Sequence, residues 1–202
     1  MWYACLVKGE FMITDRKEAD LLATSIHILR LMEMSANMMN SSTIERAIIE
    51  RIKENPQVLS LQNESGQTIG MLACEYNLFF VMNFCLKKRS CLLHQDKKGR
   101  TMGHYIAKKE TTTHYDRNLE REDDIFDLML KKILKDNLAS ILQDEDGNNI
   151  GMLAAKRKSK KVFAIARKNK IAMGQQNKAG ETIESIARES GLLQEKEKTL
   201  RD

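Results

Sequence analysis

Apolar residues recur at the three- and four-residue spacing of a helix in several separate stretches of the chain. In the first stretch, from Arg16 to about Met34, the apolar positions are Leu21, Leu22, Ile26, Leu29 and Met32. In the second, which opens on a Ser-x-x-Glu capping-box sequence at Ser42, they are Ile48, Ile49 and Ile52. Later stretches carry Val81, Met82, Cys85 and Leu86, then Met129, Leu130, Ile133 and Leu134, and finally Val162, Phe163 and Ala166. Because this spacing places each set on one face of a helix, the pattern predicts an all-α protein.

The composition favours the same class. The chain has one proline and ten glycines among 202 residues, and aromatic residues make up only 5%, which disfavours a β-sandwich. The longest apolar stretch, near Leu78–Leu86, is far shorter than the roughly 20 residues that a membrane span needs. At the N-terminus the first charge follows the apolar run, which is the reverse of a signal peptide. We therefore expect a helical protein of the cytoplasm.

A motif centred on a glycine occurs four times, around Gly66, Gly99, Gly147 and Gly180. The four segments read LQNESGQTIGMLAC, HQDKKGRTMGHYIA, LQDEDGNNIGMLAA and QQNKAGETIESIAR. In each, glutamine stands four residues before the glycine, Asn or Asp stands three before it, and Thr or Asn stands two after it. Successive glycines are separated by 33, 48 and 33 residues. A recurring interval of this size indicates a repeat protein.

Each motif contains the residues of a turn that leads into a helix. An Asn or Asp side chain can accept hydrogen bonds from the backbone amides of its own turn, and glycine adopts positive φ without steric cost. The Thr or Asn that follows is a favourable helix N-cap. We therefore predict a turn at each glycine, with a helix starting directly after it.

The period of 33 residues and the order Asx, Gly and Thr resemble the ankyrin repeat, whose motif is D-x-x-G-x-T-P-L-H-x-A-A. The small pair that ends this motif in the family corresponds to Ala73-Cys74, Ile106-Ala107, Ala154-Ala155 and Ala187-Arg188. The resemblance implies an ankyrin-like repeat solenoid over residues 42–191, with an N-terminal helical cap at 1–41 and a charged tail at 192–202. The longer second interval places an insertion at about 109–123.

The repeats depart from the family pattern at the start of the first helix. Proline is absent there, and glycine replaces the usual packed leucine at Gly70, Gly103 and Gly151. The fourth copy has Glu184 at this position. These replacements leave the stacking angle of the repeats open.

In ankyrin-like folds, partners contact the turn tips and the concave face of the first helices. By alignment, the resemblance places partner-binding residues at Tyr76, Lys97, Lys98, Arg100, Lys108, Lys109, Glu145, Asp146, Asn148, Lys156 and Arg157. The contact positions of the second repeat are mostly basic, and Tyr76 is the best aromatic anchor. We therefore expect a partner with an acidic patch.

Positive charge is concentrated in the third repeat. Between Asp146 and Gly180 the chain has no acidic residue, whereas the basic residues there are Lys156, Arg157, Lys158, Lys160, Lys161, Arg167, Lys168, Lys170 and Lys178. A surface of one sign favours an anionic partner.

The sequence contains no recognisable catalytic or metal-binding motif. None of the four histidines has the spacing to a second ligand that a metal site needs, and there is no C-x-x-C pair. His104 occupies the place of the ankyrin histidine, so we expect it to make a structural hydrogen bond. Cys74 and Cys85 fall on apolar helix positions, which predicts reduced thiols in the core. We expect neither enzymatic activity nor a cofactor or metal.

Three functions are consistent with these features. The first is a non-catalytic protein-protein interaction module, similar in style to the effectors that intracellular bacteria deliver into the host-cell cytosol, which would bind an acidic surface of a host protein. The second is an electrostatic binder of nucleic acid or anionic lipid through the basic second and third repeats. The third is an enzyme with an unrecognised site in the insertion or the N-terminal segment. Residues 1–14 form either a strand or a partner-binding arm, and the C-terminal tail is a frayed helix, a disordered tail or a secretion signal.

Overall fold

The computed structural model describes residues 16–36, 41–109 and 125–193. The N-terminal segment, nearly all of the predicted insertion and the tail from residue 194 lie outside these ranges, so the hypotheses about them stay predictions. The chain divides into two compact units, Met1–Met102 and Gly103–Asp202.

In the first unit, the described residues form helices joined by short turns. The elements are α1 (Arg16–Ala36), α2 (Ser41–Glu54), a 3-10 helix (Pro56–Ser60), α3 (Ile69–Glu75), α4 (Phe79–Cys85) and α5 (Arg89–Leu93), and α6 (Met102–Lys108) begins at the last residue of the unit. α2 packs against α1, the 3-10 helix and α4, and α3 packs against α4.

The second unit is built around one central helix. Its elements after α6 are α7 (Ile125–Ile133), α8 (Asn137–Ile141), α9 (Ile150–Lys156), α10 (Lys160–Ala166), α11 (Lys170–Gly174) and α12 (Ile183–Glu189). α9 packs against α8, α10 and α12. In the part of the chain that the structure describes, extended pairing is limited to one isolated bridge between Gln143 and Asn149, so the predicted all-α class is confirmed. None of the described helices has the length and apolar character to cross a membrane.

The apolar positions predicted from Ile48 onwards lie in the cores of the two units, on or at the ends of α2, α4, α7 and α10, which are the second helices of the repeats. In the first unit, the buried members are Ile48, Ile52, Val81, Met82 and Cys85. In the second unit, they are Met129, Leu130, Ile133, Leu134, Val162, Phe163 and Ala166. The helical spacing therefore located the core correctly, although Ile49 and Leu86 are only partly buried.

The buried stripe of α1 differs from the predicted one. Ser25, Ile28 and Met32 are buried, whereas Leu21 and Leu29 are partly exposed. The Ser25 hydroxyl donates a hydrogen bond of 2.8 Å to the carbonyl oxygen of Leu21, one turn earlier in the same helix. Because its polar atom is satisfied inside the helix, serine can occupy a buried position that an apolar pattern does not include.

The predicted capping box at Ser42 is wrong. The helix already begins at Ser41, and Glu45, which is only 2% exposed, bonds to a different helix. Its carboxylate accepts hydrogen bonds from the backbone nitrogens of Phe80 at 2.7 Å and Val81 at 3.1 Å, in the first turn of α4. Glu45 thus satisfies two of the amides that a helix start leaves without an intrahelical partner. Burial raises the pKa of Glu45 above its usual range, against the smaller opposite effect of these two hydrogen bonds.

A short third helix follows the second helix of each repeat, a feature that the sequence pattern did not predict. α5, α8 and α11 each contain five residues, and the 3-10 helix precedes α5 by 33 residues. Asp136 and Asn169 stand at the N-caps of α8 and α11, where each Oδ1 accepts hydrogen bonds from two backbone amides. These caps account for the start of two of the short helices.

The glycines at the starts of the first helices make room for a neighbouring repeat. A Cβ atom on Gly70 would lie 3.2 Å from Sδ of Met102, and one on Gly151 would lie 2.6 Å from Cδ1 of Ile183. A Cβ atom on Gly103 would likewise meet the side chain of Ile150. Met102, Ile150 and Ile183, each the first residue of its helix, therefore pack against these glycines, and close packing leaves no room there for a larger side chain.

Candidate functional site

The four glycine turns share one hydrogen-bonding pattern. In each, Oδ1 of the Asn or Asp accepts hydrogen bonds from the backbone nitrogens two and four residues later, with distances between 2.8 and 3.1 Å. The φ angles of Gly66, Gly99, Gly147 and Gly180 are 78°, 68°, 79° and 76°. Both parts of the turn prediction are confirmed, because the Asx side chain bonds its own turn and the glycine has positive φ.

The helices that follow these turns begin at the predicted places. Thr68, Asn149 and Thr182 are the N-cap residues of α3, α9 and α12. Oδ1 of Asn149 accepts a hydrogen bond of 3.0 Å from the backbone nitrogen of Met152, and Oγ1 of Thr182 accepts one of 3.2 Å from Ser185. At the Gly147 and Gly180 turns, the turn and the helix start therefore form one continuous hydrogen-bonded structure, whereas Thr68 stands at the N-cap of α3 without a side-chain cap hydrogen bond.

Within each unit, successive turns are bonded to each other in the same way. In the first unit, the backbone nitrogen of Lys97 donates to the carbonyl oxygen of Ser65 at 3.0 Å, and Nε2 of Gln62 donates to that of Gln95 at 2.9 Å. In the second unit, Lys178 donates to Asp146 at 2.9 Å and Gln143 donates to Gln176 at 3.0 Å. These bonds give the side chains of Gln62 and Gln143 a structural role in joining the turns.

Two residues at the tip of each turn project outward and differ from turn to turn. The tip pairs are Glu64-Ser65, Lys97-Lys98, Glu145-Asp146 and Lys178-Ala179, and all eight residues are exposed. They stand between an Asx residue and a glycine that hold the backbone in place. The turns therefore combine a constant backbone with variable side chains and variable charge.

In the first unit, the predicted contact residues fall into two places. Lys97 and Lys98 are exposed at the tip of the Gly99 turn. Arg100, just beyond it, is less accessible because its Nε lies 2.7 Å from the buried carboxylate of Asp96. Tyr76 is half-buried at the end of α3, and burial, together with the charges of two nearby glutamates, raises the pKa of its hydroxyl.

In the second unit, the exposed contact residues include internal ion pairs. Lys108 Nζ lies 3.5 Å from the Asp144 carboxylate, and Lys156 Nζ lies 3.4 Å from that of Glu181. A hydrogen bond from Asn177 and the charge of Lys156 lower the pKa of Glu181. The remaining predicted positions, Lys109, Glu145 and Asp146, are at least partly exposed.

Asn148 is buried and Arg157 is mostly buried, and both make internal contacts, so neither belongs to an exposed surface. Asn148 is 5% exposed, and its Oδ1 accepts a hydrogen bond of 3.0 Å from Nδ2 of Asn177 in the following turn. The Arg157 side chain is 10% exposed, with its guanidinium 3.3 Å from the Asp127 carboxylate and 5.8 Å from the ring centroid of Phe126. Alignment placed both residues by position alone, whereas their burial depends on residues about 30 positions away.

His104, which could in principle act as a catalytic acid or base, has a structural role. It is fully buried, and Nε2 lies 2.9 Å from the carbonyl oxygen of Asn148 in the Gly147 turn. Because a carbonyl oxygen only accepts, Nε2 carries the proton. The predicted structural hydrogen bond of His104 is confirmed.

The described cysteines are buried free thiols. Cys74, Cys85 and Cys91 all lie in the core of the first unit, which confirms the predicted core position of the first two. A hydrogen bond with Cys91, together with burial, raises the pKa of Cys85 well above its usual range, while the same hydrogen bond lowers that of Cys91. Since the thiolate is the reactive form, Cys85 is a poor nucleophile. In the described ranges, no cluster of His, Cys, Asp and Glu has the arrangement of a metal site.

Comparison with known proteins adds no family to this description. No protein-family model matches the chain, and no curated protein matches it significantly.

Proposed function

We propose that the chain is a divergent ankyrin-like repeat protein that binds an acidic surface of a partner protein and has no catalytic activity. The observation that carries the proposal is the contrast within each turn. The Asx side chain and the glycine repeat four times, whereas the exposed tip residues between them change from Glu-Ser to Lys-Lys, Glu-Asp and Lys-Ala. Selection for the fold alone gives no reason for tips so different in charge, whereas a binding surface gives one.

The tip of the Gly99 turn is the proposed contact point. Lys97 and Lys98 place two adjacent positive charges on a backbone that is fixed by Asp96 Oδ1 and by the bond from Lys97 to Ser65. A fixed backbone reduces the conformational entropy that binding would otherwise cost. Exposed charges of one sign also steer an oppositely charged partner and increase its rate of association.

Tyr76, on the first helix of the preceding repeat, is proposed as the second contact of this surface. Its ring is partly buried and partly accessible, the state in which tyrosine contributes strongly to interfaces. Asn148 and Arg157 are left out of the surface because their side chains hold the second unit together.

The experiment is affinity capture from a nuclease-treated eukaryotic lysate, the source that the resemblance to bacterial effectors suggests. The test variant is Lys97→Glu with Lys98→Glu. The matched control is Lys87→Glu with Lys88→Glu, which makes the same charge change in the same unit at another exposed lysine pair. We expect the tip reversal to remove a captured protein that wild type and control both retain.

Two outcomes would contradict the proposal. If both reversals reduce capture equally, only the net charge matters, and a general polyanion binder is favoured. If neither variant changes capture, the tip is not the contact surface. Exposed charges contribute little to stability, so both variants should fold, which a thermal unfolding curve verifies.

A further inference from the structure

The second unit presents a repeated pair of exposed aliphatic residues with basic neighbours. Ile171, the second residue of α11, is 65% exposed, and Leu138, the second residue of α8, is 49% exposed. Leu138 precedes Ile171 by 33 residues, so the two stand at the same position of adjacent repeats. Of the large apolar residues that the structure describes, none is more exposed than Ile171.

The two residues belong to one continuous edge of the unit. α8 packs against α11, and Nδ2 of Asn169 donates a hydrogen bond of 2.5 Å to the hydroxyl of Ser140. Nε2 of Gln175 also donates to the carbonyl oxygen of Ile141 at 2.8 Å. These bonds attach both ends of α11 to the last two residues of α8, so the helices that carry Leu138 and Ile171 pack side by side.

Lysine and arginine surround this aliphatic pair. Lys135 precedes Leu138 by three residues, and Lys168 precedes Ile171 by three, while Arg167 and Lys170 add two more charges; all four side chains are exposed. One carboxylate, that of Asp136, also lies next to Lys135, and it accepts hydrogen bonds from two backbone amides at the N-cap of α8. Four exposed basic residues therefore lie within four positions of the aliphatic pair along the chain, together with one carboxylate.

We propose that this edge binds the surface of an anionic lipid bilayer, with Leu138 and Ile171 inserted among the acyl chains and the four basic residues against the headgroups. Aliphatic residues among lysines are characteristic of proteins that lie on a membrane interface. Each lysine near such a surface contributes about 1 kcal/mol of binding free energy, so the basic residues supply the attraction and the aliphatic pair supplies the anchor.

The side chains of this edge favour lipid over nucleic acid. The aromatic residues between 125 and 193 are Phe126 and Phe163, and both are buried. Phe163 is also covered by Arg167, whose guanidinium carbon lies 5.7 Å from the ring centroid. Because single-stranded nucleic acids are bound by stacking bases on exposed rings, this edge has no platform for them. Exposed aliphatic residues add nothing to binding the phosphates of a duplex, whereas they add directly to binding a bilayer.

The test is co-sedimentation of the full chain with vesicles of phosphatidylcholine alone and of phosphatidylcholine mixed equally with phosphatidylserine. We expect binding only to the mixed vesicles. The double change Lys168→Glu, Lys170→Glu should weaken it roughly 30-fold or more, given about 1 kcal/mol per lysine. The double change Leu138→Ser, Ile171→Ser should weaken it several-fold without any change in charge. Phe80→Ser, at another exposed apolar residue, is the control and should have no effect.

A parallel titration with a double-stranded DNA fragment separates the alternatives. If the serine variant binds the mixed vesicles as tightly as wild type, the aliphatic pair is not an anchor and the proposal is overturned. Tighter binding to DNA than to the vesicles, lost on charge reversal, would make the edge a nucleic-acid site. Since these residues lie apart from Lys97 and Lys98 in sequence and in unit, the Lys97→Glu, Lys98→Glu variant should keep its vesicle binding whether or not the proposed protein partner exists.

Discussion

The carboxylate of Glu45 on α2 lies 2.7 Å from the backbone nitrogen of Phe80, at the start of α4 and 35 residues further along the chain. The same carboxylate accepts a hydrogen bond from the backbone nitrogen of Val81. One acidic side chain thus replaces the local cap that α4 lacks, since its N-cap residue Leu78 has no side-chain acceptor.

Removing this long-range cap should destabilise the first unit. Glu45→Ala leaves the amides of Phe80 and Val81 without an acceptor, which should lower the free energy of unfolding by about 1–3 kcal/mol. Glu45→Gln keeps one side-chain oxygen as an acceptor, and its cost should be smaller. Chemical denaturation of the two variants measures the difference. If Glu45→Ala and Glu45→Gln lower the free energy of unfolding equally, the hydrogen bonds that the remaining Gln oxygen can accept contribute nothing, and only the charge of Glu45 matters.

The pKa of Glu45 also predicts how stability changes with pH. Burial raises it above the ordinary value of 4.5, so between that value and the folded-state pKa the folded protein binds the proton more tightly than the unfolded chain. The contribution of Glu45 to stability is therefore largest at low pH and decreases as pH rises through the folded-state pKa. Unfolding curves of wild type and Glu45→Gln at several pH values should show wild type gaining on the variant as the pH falls from neutral towards 4.5. The opposite trend would mean that the two hydrogen bonds outweigh burial.

Gly147 and Gly180 separate two reasons for a glycine in the turn. Their φ angles are 79° and 76°, but a Cβ on Gly147 would lie 2.9 Å from Cα of Asn177, whereas one on Gly180 would meet nothing within 4 Å. Gly180→Ala should cost about 1–2 kcal/mol for its positive φ alone. Gly147→Ala should cost about 1–3 kcal/mol more, because it also separates two bonded turns. Thermal unfolding of both variants measures this; equal costs would exclude close turn-to-turn packing.

The glycine at the start of the first helix predicts a second matched pair. Gly151→Leu restores the residue of the ankyrin pattern but places its side chain against Ile183, so we expect a loss of about 1–3 kcal/mol from overpacking. Glu184→Leu introduces the same residue at the same position of the fourth copy, where the site is exposed, and should change stability little. A tolerated Gly151→Leu would show that the repeats can separate to admit the usual leucine.

Features set by neighbouring residues were predictable from the sequence. The glycine turns follow from an Asx side chain and a glycine three residues apart, which act on their own backbone. The core positions of α7 and α10 follow from the helical period, and His104 from its alignment with the family motif. The four glycine turns have nearly the same sequence, so the turn prediction rests on four independent copies of one motif.

Features set by distant residues were not predictable in this way. The Glu45 cap joins residues 35 positions apart, and the bond from Gln62 to Gln95 spans a whole repeat. Arginine usually lies on the surface, and the burial of Arg157 depends on Asp127, Phe126 and the carbonyl oxygen of Ile106, which are 30 to 51 positions away. Alignment with a repeat motif gives a position along the repeat but not the ion pairs that a side chain makes there.

The central claim is that the turns form a constant framework whose tips determine binding. The most direct test exchanges two tips within the first unit, so that Glu64-Ser65 becomes Lys-Lys and Lys97-Lys98 becomes Glu-Ser. The exchanged protein has the same composition and net charge as wild type, and the backbone bond from residue 97 to residue 65 needs neither side chain. The measurement is the affinity for the protein partner captured by wild type, with the thermal midpoint recorded on the same sample. We predict an unchanged midpoint and a loss of affinity of at least about tenfold, because each charge now faces the wrong part of the partner. An unchanged affinity would contradict the claim, since it would mean that net charge and not the tip at Gly99 directs binding.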